Sequence, residues 1–249
     1  MNFAKSDEEI ELMKISGKIC AKSLKKVMEN IKEGVSCRKL DQIAKEEIEK
    51  MGAASSFMTV EDYKWTICTT INDQVVHGIP GDRTLNNGDI LGIDVGALYQ
   101  GFHSDTAISV GIGKLSKSAI KFLEIGKQTL QRAIQQAKIG NTIGDISATI
   151  QHGIENAGYS IVTSLTGHGV GRKLHEDPMI PGVGKQGTGL KLVQNMVLAI
   201  EVIYAQGSGE VKLEKDNWTI STVDGSLGGL FEQTIAISKG GPIVLTPYP

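Results

Sequence analysis

The chain has 249 residues and a mass of 26.7 kDa, which is enough to bury one large core or two small ones. Hydrophobic residues make up 40% of it and charged residues 22%, and 26 Lys and Arg stand against 28 Asp and Glu, a formal charge of -2. This composition argues against disorder and against recruitment of nucleic acid or an anionic membrane by bulk charge.

The cysteines and the N-terminus indicate the compartment. Three cysteines occur without CxxC spacing, so the sequence encodes neither a disulfide framework nor a four-cysteine zinc site. The first residues lack the basic-then-apolar layout of a secretory signal, and the strongest apolar run, 196–205, is interrupted by Glu201. We therefore expect a soluble, cytoplasmic protein without membrane association.

Two helices are predicted in the first fifty residues. Ser6 and Glu9 have the spacing of a capping box, and apolar residues at helical spacing follow, which predicts a helix over 7–31. A second helix begins near Ser36, and Gly52 ends it.

The next elements are strands, followed by two more helices. Apolar residues alternate with the period of strands over 64–72 and 87–111, and the second segment is predicted to be a β-hairpin with a turn near Tyr99–Gly101. Helices are predicted from Ser116 and from Thr142 to Gly158, and the remaining glycine-rich segment is strand-like.

This order of elements occurs twice and suggests an internal repeat. Gly34 aligns with Gly140, and the run 90–94 aligns with 197–201, which places a carboxylate at the same strand position in both copies. Any two amphipathic helices with glycine stops can be aligned, so the helices alone leave the question open, and the strand match favours duplication. The sequence predicts one domain over 1–249 with halves of about 1–113 and 114–249.

Four acids lie inside apolar strand segments: Asp94, Asp105, Glu201 and Glu232. An unpaired acid there loses several kcal/mol of solvation, and no Lys or Arg lies within the LGIDVG or VLAIEVIYA run. With a turn centred at 99–100, Asp94 and Asp105 would stand directly opposite each other. A cluster of carboxylates predicts a site for more than one divalent cation, although a solvated edge position is the alternative for Glu232 alone.

The five histidines are not equally good candidates for metal ligands or catalytic residues. His168 lies in GHGVG, where the flanking glycines permit close approach of the backbone. His175 lies in HEDP, and His77 lies in VVHGIP at the end of a strand and before a turn. His103 lies two residues before an acid of the set, so it shares a strand face with that acid and is a candidate ligand. His152 falls at a predicted surface position. A lone histidine is more often a satisfied core or surface residue than a ligand.

Other catalytic signatures are absent or weak. The sequence contains no HExxH, GxSxG or P-loop motif, and GHGVG does not follow a βαβ pattern, so dinucleotide binding is disfavoured. His103-Ser-Asp105 with a later histidine imitates the two-histidine, one-carboxylate site of non-haem iron oxygenases. That alternative requires an all-β cupin core, whereas this chain has four amphipathic helices.

On its motifs the chain resembles the type I methionine aminopeptidases, the short bacterial form of the pita-bread metallopeptidases. The similarity extends over essentially the whole chain and is carried by CTTINDQVVHGIP (68–80), GDILGIDVGALYQGFHSDTA (88–107), GHGVGRKLHEDPMIP (167–181), LAIE (198–201) and SLGGLFEQT (226–234). The resemblance implies an α/β (α+β) pita-bread fold, in which two pseudo-symmetric halves form an antiparallel sheet covered by helices. It also implies removal of N-terminal methionine from nascent proteins and peptides with a small second residue.

The resemblance further implies a site for two divalent ions, of Co, Mn, Fe or Zn, that activate a water molecule. The implied ligands are Asp94, Asp105, His168, Glu201 and Glu232. Asp105 and Glu232 would bridge the ions, and Glu201 would also act as the general base.

The remaining implied roles concern the substrate. His175 would stabilise the oxyanion, and His77 would hydrogen-bond the scissile amide nitrogen or position the substrate. A pocket for the methionine side chain would include Tyr63, Trp65, Cys68, Leu174 and Trp218, for which ordinary core packing is the alternative. The family suggests a monomer that acts on peptide and nascent-protein N-termini, with transient ribosome contact and no nucleic-acid specificity.

Several positions depart from the family pattern. Val202 stands where proline is usual, and Gln233 stands where histidine is usual. The segment 228–230 replaces a more polar stretch, Leu165 replaces an aromatic residue or methionine, and Gly182 replaces Asn or His. None of them is an implied ligand, so we expect effects on metal affinity, rate and side-chain preference rather than on the reaction.

Two alternatives of the same fold stay open. A non-catalytic pita-bread binding protein would have lost metal ligands, whereas all five are present here. An exopeptidase with another specificity, such as cleavage before proline, usually carries an extra N-terminal domain for which the sequence leaves no room.

Overall fold

The computed structural model describes residues 3–249. Its helices are α1 (Asp7–Met28), α2 (Cys37–Lys50), α3 (Lys117–Ile134) and α4 (Ile143–Glu155), in agreement with the predicted ones. Helix α1 ends earlier than predicted because the amides of Asn30 and Ile31 bond three residues back, to the carbonyls of Val27 and Met28, which tightens the last turn. Among the described residues no helix has the length and apolar character needed to cross a membrane.

Side chains before the first turn fix where the helices begin. The Ser6 hydroxyl accepts a hydrogen bond from the Glu9 amide, and the Glu9 carboxylate accepts one from the Ser6 amide, which is the predicted capping box. Ser36 and Ser116 accept equivalent bonds at the starts of α2 and α3. These contacts satisfy amides that have no partner inside the helix.

Within residues 3–249, thirteen strands form two antiparallel sheets. The first-half strands are β1 (Ala54–Ser55), β2 (Ile67–Ile71), β3 (Gln74–Val76), β4 (Ile90–Tyr99) and β5 (Phe102–Gly111). The second-half strands are β6 (Ser160–Ile161), β7 (Thr166–Gly169), β8 (Glu176–Pro181), β9 (Val197–Ala205), β10 (Val211–Leu213), β11 (Ile220–Thr222), β12 (Gly228–Ser238) and β13 (Gly241–Val244). A short 3₁₀ helix spans Phe57–Thr59.

The large sheet determines where the site lies. Its strands follow the order β1-β4-β5-β12-β9-β7-β8, with β2 paired to β4, β6 to β9 and β13 to β12. The small sheet has the order β10-β11-β3. The two long strands of the first half, β4 and β5, therefore lie beside the two long strands of the second half, β12 and β9, at the centre of the large sheet.

The β4–β5 hairpin is confirmed, but the predicted register is wrong. Asp94 pairs with Ala107, and Asp105 pairs with Gly96, so the two acids are diagonal neighbours. The turn residues are Gln100 and Gly101, whose φ angles of 47° and 83° are those of a two-residue hairpin turn with positive φ at both positions. Both acids still lie on one face of the sheet, because a shift of two residues preserves the alternation of side chains.

The helices cover the other face of the sheet. Leu24 of α1 and Leu130 of α3 belong to one buried core with Ile93 and Val95 of β4. Because side chains alternate along a strand, Asp94 between them points away from the helices. The apolar side chains of the sheet therefore face the helices, and the acids lie on the opposite face, where they can form a site.

The segments that lead into α2 and α4 have the same hydrogen bonds. The Gly34 amide bonds the Leu85 carbonyl, and the Gly140 amide bonds the Leu192 carbonyl. Isolated antiparallel bridges follow at equivalent places, Ser36 with Thr84 and Thr142 with Lys191. A duplicated unit would produce this recurrence, and duplication stays a prediction for the two halves.

Candidate metal centre and substrate cavity

Four neighbouring strands each contribute one acid to the same face of the sheet. Asp94 of β4, Glu232 of β12 and Glu201 of β9 lie in one cross-strand row, because Asp94 pairs with Ala107, Ala107 pairs with Glu232, and Glu232 pairs with Glu201. Asp105 lies two residues before Ala107 on β5 and so points the same way. Folding therefore gathers acids that are up to 138 positions apart in the sequence, the separation of Asp94 and Glu232 (232 minus 94).

These acids are deeply enclosed and lack positive partners. Asp105 and Glu232 are only 4% and 2% exposed, and the Glu201 side chain is 12% exposed. One oxygen each of Asp94, Asp105 and Glu232 is buried without a hydrogen-bond partner. Within residues 3–249 no Lys or Arg forms an ion pair with any of the four. Such oxygens need a cation or protons.

Burial raises the pKa of each of these acids. The pKa of Asp94 rises to about 7, and the pKa values of Asp105, Glu201 and Glu232 are raised well above their ordinary range, first by burial and then by the negative charges of neighbouring acids. Like charges close together in a dry site disfavour joint ionisation. A divalent cation removes this repulsion, so the residues present fit a metal centre.

His168 completes the donor set. It lies on β7 opposite Ala199 of β9, and ligand atoms of His168, Asp105 and Glu232 all lie within 4.8 Å of one another. The His168 Nδ1 contacts the Gly169 carbonyl at 2.8 Å, so Nδ1 donates and Nε2 keeps its lone pair. That Nε2 lies 3.4 Å from a Glu201 carboxylate oxygen.

The electrostatic state of His168 suits a metal ligand. Burial, together with the nearby His175, lowers the pKa of His168 to about 4. The imidazole is therefore neutral at pH 7. A neutral ring whose other nitrogen is fixed by a carbonyl is the usual form of a metal-binding histidine.

His77 and His175 face the same cavity as the acids. The His175 ring meets the His168 ring edge-on, with 4.5 Å between centroids. His77 follows β3 with a φ of 58°, a left-handed conformation that is uncommon for residues other than glycine. The next residue has to be glycine, because a Cβ at Gly78 would collide with the Thr69 carbonyl. Burial lowers the pKa of both histidines.

The loop that carries His175 is tied to the N-terminal segment. Lys5 forms an ion pair with Glu176, and both side chains are mostly buried. Arg172 donates to Glu9 at 2.7 Å and lies 4.8 Å above the Phe102 ring. These contacts hold the loop against α1 and β5 and so set the direction of His175.

A cavity of about 230 Å³ opens above the acids. Four of the predicted pocket residues line it: Tyr63, Cys68, Leu174 and Trp218. Trp65 lies outside the lining and packs its ring against Tyr63, with 5.3 Å between centroids. Carboxylates therefore form one end of the cavity, and apolar and aromatic side chains form the other.

Sequence reasoning missed four lining residues: Phe57, Val60, Val76 and Leu230. Phe57 belongs to a single 3₁₀ turn, which is too short to show a helical period by itself. Their spacing could have identified two of them, because Phe57, Val60 and Tyr63 recur every third residue. Val76 lies one residue before His77 and Leu230 two residues before Glu232, and this adjacency to site residues is the signal that the sequence offers for them.

Two other histidines are not brought to the site. His103 is 5% exposed, but its Nδ1 contacts the Ser56 hydroxyl at 2.9 Å, and it neither joins the donor cluster nor lines the cavity. His152 lies on the exposed side of α4. The donor cluster within the described residues combines one histidine with two carboxylates, which does not match the oxygenase triad.

Most departures from the family pattern lie on strands that carry the site, but several of their side chains point to the opposite face of the sheet. Val202 is fully buried on the helix-facing side of β9, and the Gln233 amide donates to the Thr246 carbonyl. Leu165 lines a second groove together with His77 and Met179. Within 228–230, Gly229 lies against the Tyr204 ring. Outside this region, Gly182 packs against Ile161.

Comparison with known proteins identifies the family. The profile of Metallopeptidase family M24 matches residues 11–235. The chain belongs to metallopeptidase family M24. Members of this family are metal-dependent hydrolases of peptide bonds, so the predicted enzyme class is confirmed, and the use of divalent metal follows from it.

Relatives of this M24 chain agree with the predicted resemblance. A methionine aminopeptidase of Clostridium perfringens is 42% identical over 246 residues, with 99% of both chains covered. Methionine aminopeptidase 1 of Bacillus subtilis has the same identity and coverage. The resemblance to methionine aminopeptidases is thereby confirmed.

Solved structures confirm the fold of this M24 chain. The methionine aminopeptidase of Thermotoga maritima superposes with a TM-score of 0.96 at 37% identity, covering 98% of each chain. A prolidase of Pyrococcus furiosus superposes with a TM-score of 0.81 at 24% identity, covering 99% of this chain and 66% of the prolidase. The second similarity shows a shared fold alone, and both agree with the predicted pita-bread architecture.

Proposed function

We propose that this M24 peptidase is a methionine aminopeptidase that removes the N-terminal methionine from peptides and nascent proteins with a small second residue. The main support is the cavity itself, in which an apolar, aromatic wall lies next to a cluster of acids that needs cations. A site of this shape accepts one apolar side chain and holds the adjacent amide bond against the acids. We further propose action as a cytoplasmic monomer with transient ribosome contact.

Five residues would hold the metal: Asp94, Asp105, His168, Glu201 and Glu232. Divalent ions in such a site lower the pKa of water and polarise a carbonyl group. Asp94, Asp105 and Glu232 each have a buried oxygen without a partner. Asp105 and Glu232, on the neighbouring strands β5 and β12, would be shared between two ions. Co, Mn, Fe and Zn are all compatible with this mixture of oxygen and nitrogen donors.

Three side chains would act on the substrate. Glu201 lies beside the His168 ring, and burial raises its pKa, so its carboxylate suits the role of proton acceptor. Burial keeps His175 neutral, so it can donate a hydrogen bond to the negative oxygen that develops at the carbonyl carbon. His77 lies at the junction of the cavity and the second groove, where it can contact the scissile amide.

The wall of the cavity would select methionine. Tyr63 lies at its centre, with Trp218 edge-on at 5.0 Å between centroids and its hydroxyl bonded to the Cys68 sulfur at 3.1 Å. Aromatic edges and a thiol suit the flexible, polarisable thioether of methionine. The second groove, with Leu165 and Met179, would receive the following residue.

Hydrolysis of the tripeptide Met-Ala-Ser tests this proposal. The protein reconstituted with Mn(II) or Co(II) is expected to release methionine, and a chelator is expected to abolish release. Leu-Ala-Ser and a prolyl second-position peptide measure how narrow the specificity is. Absence of release with every metal would overturn the proposal and favour the non-catalytic binding protein, whereas preference for the prolyl peptide would favour the other exopeptidase class.

A further inference from the structure

The seam between β5 and β12 joins the two halves of the large sheet. It also separates Asp105 from Glu232, which the proposed function assigns as bridging ligands. Regular backbone pairing across this seam consists of two residue pairs, Glu232 with Ala107 and Gln233 with Thr106. By contrast, β4 and β5 pair along ten residues, and β12 and β9 pair along nine. The position of the two acids relative to each other therefore depends on something besides a long backbone ladder.

Side-chain hydroxyls replace backbone partners along this seam. The Thr234 hydroxyl of β12 accepts from the Asp105 amide at 2.9 Å and donates to the Asp105 carbonyl at 2.7 Å. The Ser109 hydroxyl of β5 makes the same two contacts with the amide and carbonyl of Leu230, both at 3.0 Å. Each hydroxyl serves as acceptor and donor at once, as a strand neighbour would.

The Thr106 hydroxyl of β5 donates to the Glu232 carbonyl at 2.8 Å, and the C-terminal segment adds the hydroxyls of Thr246 and Tyr248, the first of which accepts from the Thr234 amide at 2.9 Å. Tyr248 accepts from the Glu232 amide at 3.0 Å and lies 2.6 Å from the Ala107 carbonyl. It thus contacts both strands, at Glu232 itself and two residues after Asp105. The segment is fixed nearby, because the Leu245 amide bonds the Thr234 carbonyl at 2.8 Å.

We infer that Tyr248 is a positioning residue for the metal centre, and that its hydroxyl, with that of Thr234, sets the separation of the Asp105 and Glu232 carboxylates across the seam. This inference rests on the proposed function, since it assumes that these acids bind metal. The backbone atoms held by the hydroxyls belong to Asp105, Glu232 and Ala107, so loss of a hydroxyl shifts the strand segments that carry the carboxylates. Outer contacts of this kind typically change metal affinity by about 10–100-fold.

The test measures binding of Mn(II) alone, without substrate, by titration calorimetry and by the electron paramagnetic resonance spectrum of the bound ion. Tyr248→Phe removes one oxygen and keeps the ring, and Thr234→Val removes the other hydroxyl at nearly constant volume. Tyr99→Phe is the control for the first variant, because the Tyr99 hydroxyl contacts Gln100 at the hairpin turn. Thr222→Val is the control for the second, because the Thr222 hydroxyl, on β11 of the small sheet, donates to the Ser226 carbonyl.

Tyr248→Phe and Thr234→Val are each expected to weaken Mn(II) binding about tenfold and to alter the spectrum, whereas Thr234→Ser and both controls keep wild-type values. A merely structural role would lower the melting temperature and leave affinity and spectrum unchanged, and that result would overturn the inference. If Tyr248→Phe does not fold, the Mn(II) affinities of Thr234→Val and Thr234→Ser test the inference. Equal affinities in these two variants would overturn it. Failure of the wild-type protein to bind Mn(II) would overturn the proposed metal centre itself.

Discussion

Glu201 and Glu232 stand directly opposite each other on neighbouring strands. Two like charges at paired positions repel unless something between them binds both. In the first half of the chain the equivalent relationship is diagonal, because Asp94 faces Ala107 and not Asp105. The two halves therefore bring their acids together through different registers, and the directly opposed pair lies in the second half.

The Glu201 carboxylate is the first target for mutation. Glu201→Gln removes the negative charge and the proton acceptor while keeping the side-chain length. We expect kcat for Met-Ala-Ser to fall by about 10³-fold or more, together with weaker Mn(II) binding. Glu210→Gln is the control, since Glu210 is exposed and outside the cavity. Undiminished methionine release by Glu201→Gln would contradict the site assignment.

The stability of the metal-free protein should depend on pH in a defined direction. Burial raises the pKa of all four acids in the folded chain, that of Asp94 to about 7, whereas carboxyls in an unfolded chain titrate near about 4. Between these values the folded state binds more protons than the unfolded state, so stability is greatest at low pH and falls as pH rises through the folded pKa values.

The melting temperature checks this linkage. We expect the melting temperature of the metal-free protein to be higher at about pH 6 than at about pH 8. The increase on adding Mn(II) should be larger at about pH 8, because metal displaces protons from the same oxygens. An increase in melting temperature on Mn(II) addition that is the same at both pH values would contradict the assigned cause.

His77 offers a separation of catalysis from metal binding. Asn tolerates the left-handed conformation seen at His77, with its φ of 58°, so His77→Asn should fold. We expect kcat to fall about 10²-fold with unchanged Mn(II) affinity and melting temperature. His152→Asn, on the exposed side of α4, is the control. If Mn(II) affinity in His77→Asn fell by the same factor as kcat, His77 would act through the metal centre.

The two tryptophans should differ in their effect on substrate binding. Trp218 lines the cavity, and Trp65 supports it from behind by packing on Tyr63. Trp218→Ala is expected to raise KM for Met-Ala-Ser about tenfold or more, because an apolar wall is lost, whereas Trp65→Ala raises it less. Steady-state kinetics on both variants show which one has the higher KM, and Trp65→Phe is the conservative control. The reverse order would show that the substrate side chain binds on the Trp65 side.

The chemistry of the site was predictable from the sequence because it depends on local context. An acid surrounded by aliphatic residues, as Asp94 and Glu201 are, needs a cation or a proton once its strand is buried. The start of α1 was equally predictable, because its capping box needs only Ser6 and Glu9. Local patterns of this kind fix helix starts, strand runs and the identity of the four acids.

The remainder depended on contacts between distant segments. The hairpin register follows from positive φ angles at Gln100 and Gly101, and the apolar period of the strands is the same in either register. His103 shares a strand with Asp105, yet its ring bonds Ser56 instead, because a side chain's partner depends on what packs against the strand.

The sequence by itself determined which residues need a cation and which family chemistry they support, since burial of a charge is costly in any fold. Only the tertiary structure decided which of them meet. In the folded chain Glu201 pairs with Glu232 on the neighbouring strand, and the Tyr248 hydroxyl lies at the seam next to Glu232. The physical reason is that strand pairing and a returning C-terminal segment join residues far apart in the chain, and no local pattern records those partners.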